Sequence, residues 1–383
     1  MGARVALFTV IRSVINSAYR MAYAMQPLLA AGMGVKLSDL AVALSIRSLL
    51  GTFSPFLAIF TDTQGRKKGM TLGLVLFILG VGLTATLQSF TGFIIGASLV
   101  VVGNGVFIPS MQSYLSDHVP FDRRGKVLAI TELSWSMGFI VGAPALGLLL
   151  TRINWIAPHV VLTIIGLILL LVFWKIVPEE HLPQSKQPLL QNLGLVFRTA
   201  PVVAGIAASI SFTGANEIVN VVFGEWIKDS FGLAFATLTV ASVVIGGSEL
   251  GSELLSAVVL DRVSKQKAMT IALLINALVL FLLPLTKHSL PLALTALALF
   301  FISFEVTLIS LVTLMTEVLP NARATVMAVT VATFSAGRVF GSLFGAKFYQ
   351  ISFWAICIAA VALDLLAVYF VQRIKTKDPT SFR

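Results

Sequence analysis

Twelve stretches of mostly apolar residues succeed one another along this chain, at 5–31, 38–60, 69–88, 92–115, 127–150, 155–177, 200–226, 233–258, 268–286, 290–317, 323–346 and 351–372. Each is close to or above the roughly 20 residues that carry a helix across a bilayer. Only 11% of the 383 residues are charged and 57% are hydrophobic, against about 25% charged in soluble domains. So few charges cannot clothe a water-facing surface. The expected fold is an all-α polytopic membrane protein with twelve transmembrane helices in two pseudo-symmetric six-helix bundles. Arg12 and Arg20 interrupt the first stretch and no A-x-A-like site follows it, so a cleavable signal is not expected.

Basic residues set the orientation. The formal net charge is +10, and the Lys and Arg fall in short clusters between apolar runs, which argues for membrane topology rather than nucleic-acid binding. With the N-terminus inside, seventeen of them, from Arg4 through Arg66, Lys67 and Lys68 to Arg383, lie at one set of ends, against Lys36, Arg152, Lys228, Lys287 and Lys347 at the other. Both termini are therefore expected in the cytoplasm. Residues 178–198 are polar and Pro-rich and read as a cytoplasmic linker between bundles at 1–177 and 199–383.

The two halves repeat at a spacing near 200. Asn16 matches Asn216, Ser48 to Gly51 match Ser248 to Gly251, and Asp62 matches Asp261. Asp117 and Pro120 match Glu317 and Pro320, Arg124 matches Arg323, and Gly138 and Gly142 match Gly337 and Gly341. Six helices per repeat keep both halves in the same orientation, a parallel pair that works by rocking around a site near the midplane.

The loop after the second stretch carries Asp62-Thr-Gln-Gly65-Arg66-Lys67-Lys68. Gly65 suits a tight turn, because glycine takes positive φ cheaply. Asp62 is placed to meet a neighbouring helix N-terminus, and Arg66 offers a planar fork for a carboxylate. Lys67 and Lys68 fit simple positive-inside anchoring, whereas an anchor needs neither the acid nor the glycine. This loop resembles the loop 2–3 signature of the major facilitator superfamily, with Ala58 in place of its leading glycine. Leu260-Asp261-Arg262 is similar to a degenerate second copy, and Pro120 to Gly125 is similar to the P-x-x-x-R-G element entering the fifth helix. The resemblance covers the whole chain. It implies that Asp62, Gly65, Arg66 and Lys67 help close the cytoplasmic side, that Arg66 pairs with Asp117, and that Asp62 faces the region of Arg323. Arg124 joins this gate, and Asp261, Glu317 and Arg323 form a weaker second set.

Gly138-Phe-Ile-Val-Gly142-Ala-Pro144-Ala-Leu-Gly147 resembles the helix-5 signature of antiporters, with Ala143 before the proline and a single final glycine. Small residues at that spacing equally permit close helix packing. The arginine that many drug antiporters carry three residues before Asn104 is Val101 here.

Ionisable residues at membrane depth are costly and face the bundle interior. The first half holds Arg12, Arg20, Arg47 and Glu132; the second holds Glu217, Glu249, Glu253, Glu305, Asp364 and Arg338. Arg12 lies near the cytoplasmic end and is expected to snorkel. Arg20, Arg47, Glu132, Glu217, Glu305 and Arg338 are the candidates for substrate or proton, either as cavity groups or as internal salt bridges. Glu132 and Glu217 are preferred for the proton by depth. Trp135, one turn from Glu132, is placed to stack on a cation or ring, or to pack.

The sequence has no nucleophile elbow, H-E-x-x-H motif, cysteine cluster or G-x-x-x-x-G-K-[ST] loop, and Cys357 is the one cysteine. No enzyme activity, cofactor, metal or nucleic-acid partner is expected. The expected function is secondary active transport by alternating access. Within that class the resemblance to the drug–proton antiporter branch implies proton-coupled efflux of amphiphilic or drug-like molecules by a monomer in a prokaryotic inner membrane. The alternatives are a uniporter or symporter for a sugar or organic ion, and an amphiphile or lipid transporter.

Overall fold

The computed structural model describes residues 2–53, 65–179, 193–232, 235–319 and 322–374. Every regular element among them is helical. The first half holds α1 (Gly2–Ala24), α2 (Gln26–Met33), α3 (Leu37–Thr52), α4 (Arg66–Leu87), α5 (Phe90–His118), α6 (Phe121–Met137), α7 (Ala143–Arg152) and α8 (Ala157–Ile176). A short α9 (Leu193–Arg198) then leads into α10 (Ala200–Asn220), α11 (Phe223–Phe231), α12 (Phe235–Arg262), α13 (Lys265–Leu282), α14 (Leu290–Val318), α15 (Arg323–Ile351) and α16 (Phe353–Val371). The expected linker 178–198 thus ends in a helix, and its residues 180–192 lie outside the described set.

The protein is an all-helical integral membrane protein. Among the described residues ten spans are long and apolar enough to cross a bilayer, and α2 with α3, bent by 109°, would make an eleventh. The difference from twelve falls on the first two expected stretches. The 23 residues of α1 are long enough to cross, but Arg4, Arg12 and Arg20 lie along it and lower its hydropathy. The second expected stretch, 38–60, is described only as far as Phe53. Two expected spans are also broken. Pro27 opens α2 after the break at Met25, and α10 ends at Asn220 before α11 begins.

By contact the chain forms two units. One comprises Met1–Lys186 and Phe223–Gly247, the other Gln187–Val222 and Ser248–Arg383. In the first, α1 packs on α6 and the turn after it, and α4 packs on α5 and α8. In the second, α10 packs on α15, and α13 packs on α14 and α16. The same helix pairs therefore recur at the repeat spacing. Lipid is as apolar as leucine, so close packing rather than apolar burial drives such pairs together. Glycines make it possible: a Cβ on Gly142 would lie 2.0 Å from Ser17 Oγ on α1, and one on Gly341 would lie 2.5 Å from Glu217 Cβ on α10. In the second unit Phe212, Met269, Leu273, Phe304, Leu311 and Met315 form a core. Hydroxyls on α1 fold back onto its own carbonyls, as with Ser13 to Thr9 O at 2.8 Å and Ser17 to Ser13 O at 2.6 Å, which spares lipid an unpaired donor.

Candidate functional site

Gly65 caps the start of α4 with φ +98°, a conformation that favours glycine. It delivers Arg66 as the first residue of the helix. Arg66 Nε lies 3.4 Å from Asp117 Oδ2, in the last turn of α5. Lys67 follows, half-buried. In the second unit Lys265, the first residue of α13, pairs with Glu317 in the last turn of α14. Arg66 and Lys265 are 199 positions apart and Asp117 and Glu317 are 200 apart, so one ion pair occurs twice. Lys265 is absent from the sequence-derived gate set. The repeat spacing is the signal that finds it, because it carries Arg66 directly onto this position.

Both pairs oppose their helix dipoles. A cation at a helix N-terminus and an anion at a C-terminus are each disfavoured, so each charge needs its neighbour. Asp117 and Glu317 are 37% and 48% exposed, and ion pairs in such settings are worth about 0–1 kcal/mol. These links form and break cheaply. Asp62 lies outside the described residues, as do the side chains of Arg124, Asp261 and Arg323.

The charges at membrane depth fall into two groups. On α1, Arg12 is buried, not snorkelling as expected. Its Nη2 lies 2.6 Å from Glu132 Oε2, and its Nη1 donates to Thr131 O at 3.1 Å. Glu132 also accepts from Gln112 at 3.5 Å. Glu132 is thus held by an arginine within its own unit. Arg20 and Arg47 are buried too, and their guanidinium planes lie on aromatic faces. Arg20 sits 3.7 Å from the Trp135 ring and 4.1 Å from that of Phe139; Arg47 sits 4.0 Å from Tyr19 and 5.0 Å from Tyr23. Trp135 therefore stacks on a cation, and that cation is the protein's own. Asn16, between the two arginines of α1, donates to Ser134 Oγ at 3.3 Å. Sequence reading singled out Trp135 and missed Tyr19, Tyr23 and Phe139, although Tyr19 and Tyr23 share the arginine-bearing stripe of α1 at helical spacing.

In the second unit Glu217 is fully buried on α10. Ser342 of α15 donates to its Oε1 at 2.7 Å, and Asn220 reaches its Oε2 at 3.5 Å. Glu305 of α14 is buried and Arg338 of α15 is half-buried. The carboxyl group of Glu217 is the candidate that lies wholly away from solvent with donors from two elements around it. The described residues contain no group of three or more His, Cys, Asp or Glu able to hold a metal ion.

Comparison with known proteins agrees with this architecture. The family model of the Major Facilitator Superfamily matches residues 6–342 and 206–382. The MFS-type transporter YwfA of Bacillus subtilis (strain 168), itself uncharacterized, is 24% identical over 348 residues, 89% of this chain and 84% of that one. Among solved structures, a D-xylose-proton symporter superposes with a TM-score of 0.76 at 17% identity, covering 97% of this chain and 98% of that one. A bacterial homolog of the human lysosomal transporter Spinster, inward-facing and occupied, superposes with a TM-score of 0.73 at 15% identity, covering 97% and 94%. At such identities the two structures speak to the fold alone.

Proposed function

The chain belongs to the Major Facilitator Superfamily, and from that premise we propose that it exports amphiphilic or drug-like molecules in exchange for protons. The two halves, 1–177 and 199–383, rock about a central site while the linker 178–198 joins them. The repeated ion pair carries this reading: Arg66 with Asp117, and Lys265 with Glu317. Two weak links at equivalent places suit a gate that must open and close many times without a deep trap. Asp62, Lys67, Arg124, Asp261 and Arg323 complete that gate on the cytoplasmic side, where both termini lie. The membrane is a bacterial inner membrane, in keeping with the bacterial source of the relative.

Glu217 is the proton carrier in this reading. Its carboxyl group is fully buried on α10, within reach of the Ser342 hydroxyl and the Asn220 amide. Glu132 is less suited, because its side chain is 40% exposed where Glu217 is fully buried. Arg20, Arg47 and Trp135 are the substrate candidates of the first half, and Glu305 and Arg338 those of the second.

The test is flux through purified protein in liposomes. Glu217→Gln should abolish transport driven by a pH gradient and spare counterflow of substrate. Equal loss of both would make Glu217 a structural residue, and retention of pH-driven flux would remove it from coupling. A uniporter or symporter for a sugar or organic ion, or a lipid transporter, is the outcome that follows if no amphiphile moves against protons.

A further inference from the structure

Between α6 and α7 the chain makes one π-helical turn, Gly138–Gly142. In that register each N–H reaches the carbonyl five residues back, as Ala143 N–H does to Gly138 O. The next residue is Pro144, which has no N–H. Phe139 O is left without the donor that the register would assign it, at a depth where water cannot substitute. Ser242 of α12 supplies one: its Oγ lies 2.7 Å from Phe139 O, and both residues are fully buried. Other hydroxyls in spans, such as those of Ser110, Ser211 and Ser310, bond back to their own helices four residues earlier. That of Ser242 is spent on another helix. One turn further, a Cβ on Gly246 would lie 2.9 Å from both Ser136 O and Phe139 Cβ. The backbone of α12 therefore rests directly against the π turn.

We propose that the Ser242–Phe139 hydrogen bond is a latch that clasps the first half of α12 to the π turn and biases the conformational equilibrium. The inference rests on the alternating-access reading for its use in transport. Residues 235–247 of α12 belong to the first unit, and the helix continues into the second from Ser248, directly after Gly246-Gly247. In the proposed rocking of 1–177 against 199–383, Phe139 belongs to one half and Ser242 to the other, so the clasp must release or α12 must flex beyond it at Gly246-Gly247. Opening the latch strands a buried carbonyl, a cost large enough to hold the closed arrangement about tenfold or more over the open one.

The experiment measures distance, not transport. Nitroxide labels at Arg152→Cys and Ala236→Cys, in full-length protein with Cys357→Ala, report the separation of α7 and α12 by pulsed electron resonance in nanodiscs. Ser242→Ala should raise the separated population about tenfold. Pro144→Ala should do the same by a different route, because residue 144 regains an N–H that can satisfy Phe139 O within its own helix. The double variant should move no further than the larger single one, since both act on one bond. Ser242→Thr keeps the hydroxyl and should match the parent. If Ser242→Ala does not fold, Pro144→Ala carries the test. Distributions unchanged in both single variants, or effects that add in the double, overturn the latch. The absence of proton-coupled flux in the parent would overturn the functional reading and leave this distance test standing.

Discussion

At Arg66 and Lys265 a cation occupies the first residue of a helix, and at Asp117 and Glu317 an anion occupies the last turn of the helix beside it. Each charge is misplaced with respect to its own helix dipole and compensated only by its partner. Arg66→Ala should therefore shift the conformational equilibrium by up to about fivefold and slow turnover, while the amount of folded protein stays the same. Exchanging the pair as Arg66→Asp with Asp117→Arg should recover turnover. Normal turnover in Arg66→Ala, measured in liposomes, would reduce the loop to an anchor. Gly65 and Arg66 were legible in the sequence because a turn and a planar cation leave a local pattern. Lys265 was not, because the degenerate motif copy Leu260-Asp261-Arg262 ends three residues before it and places its arginine off the Arg66 spacing. Arg12 was misread for a different reason. Its partner Glu132 lies 120 residues away, and no local pattern reveals a long-range ion pair.

The helices were legible as apolar stretches, and their breaks were not. A run of apolar residues reads the same whether or not the backbone changes register inside it, as it does at Gly138–Gly142. The close pairing of α1 with α6, the π turn and α7, and of α10 with α15, depends on glycine at the contact. Gly341→Leu would place a branched side chain where even a Cβ lies 2.5 Å from that of Glu217. Overpacking of this kind costs about 1–3 kcal/mol or more, so this variant should show a lower melting temperature and lower yield than Gly247→Leu, where a Cβ meets nothing within 4 Å. Equal melting temperatures would mean that α10 and α15 can part without cost.

For the whole molecule, the repeat near 200 residues accounts for recurring helix pairs and for the recurring ion pair, yet the buried charges break that symmetry. The first unit places Arg20 and Arg47 on aromatic rings, and the second buries Glu217 among hydroxyl and amide donors. An asymmetric set of buried charges on a symmetric frame fits the proposal that one half holds substrate and the other takes a proton. The most direct test of that account is proton movement in liposomes of purified protein, with lipophilic cations, zwitterionic amphiphiles and sugars offered in turn. The account predicts proton flux that depends on an amphiphilic class and disappears in Glu217→Gln. Substrate movement with no accompanying protons, or proton flux unchanged by Glu217→Gln, would contradict it.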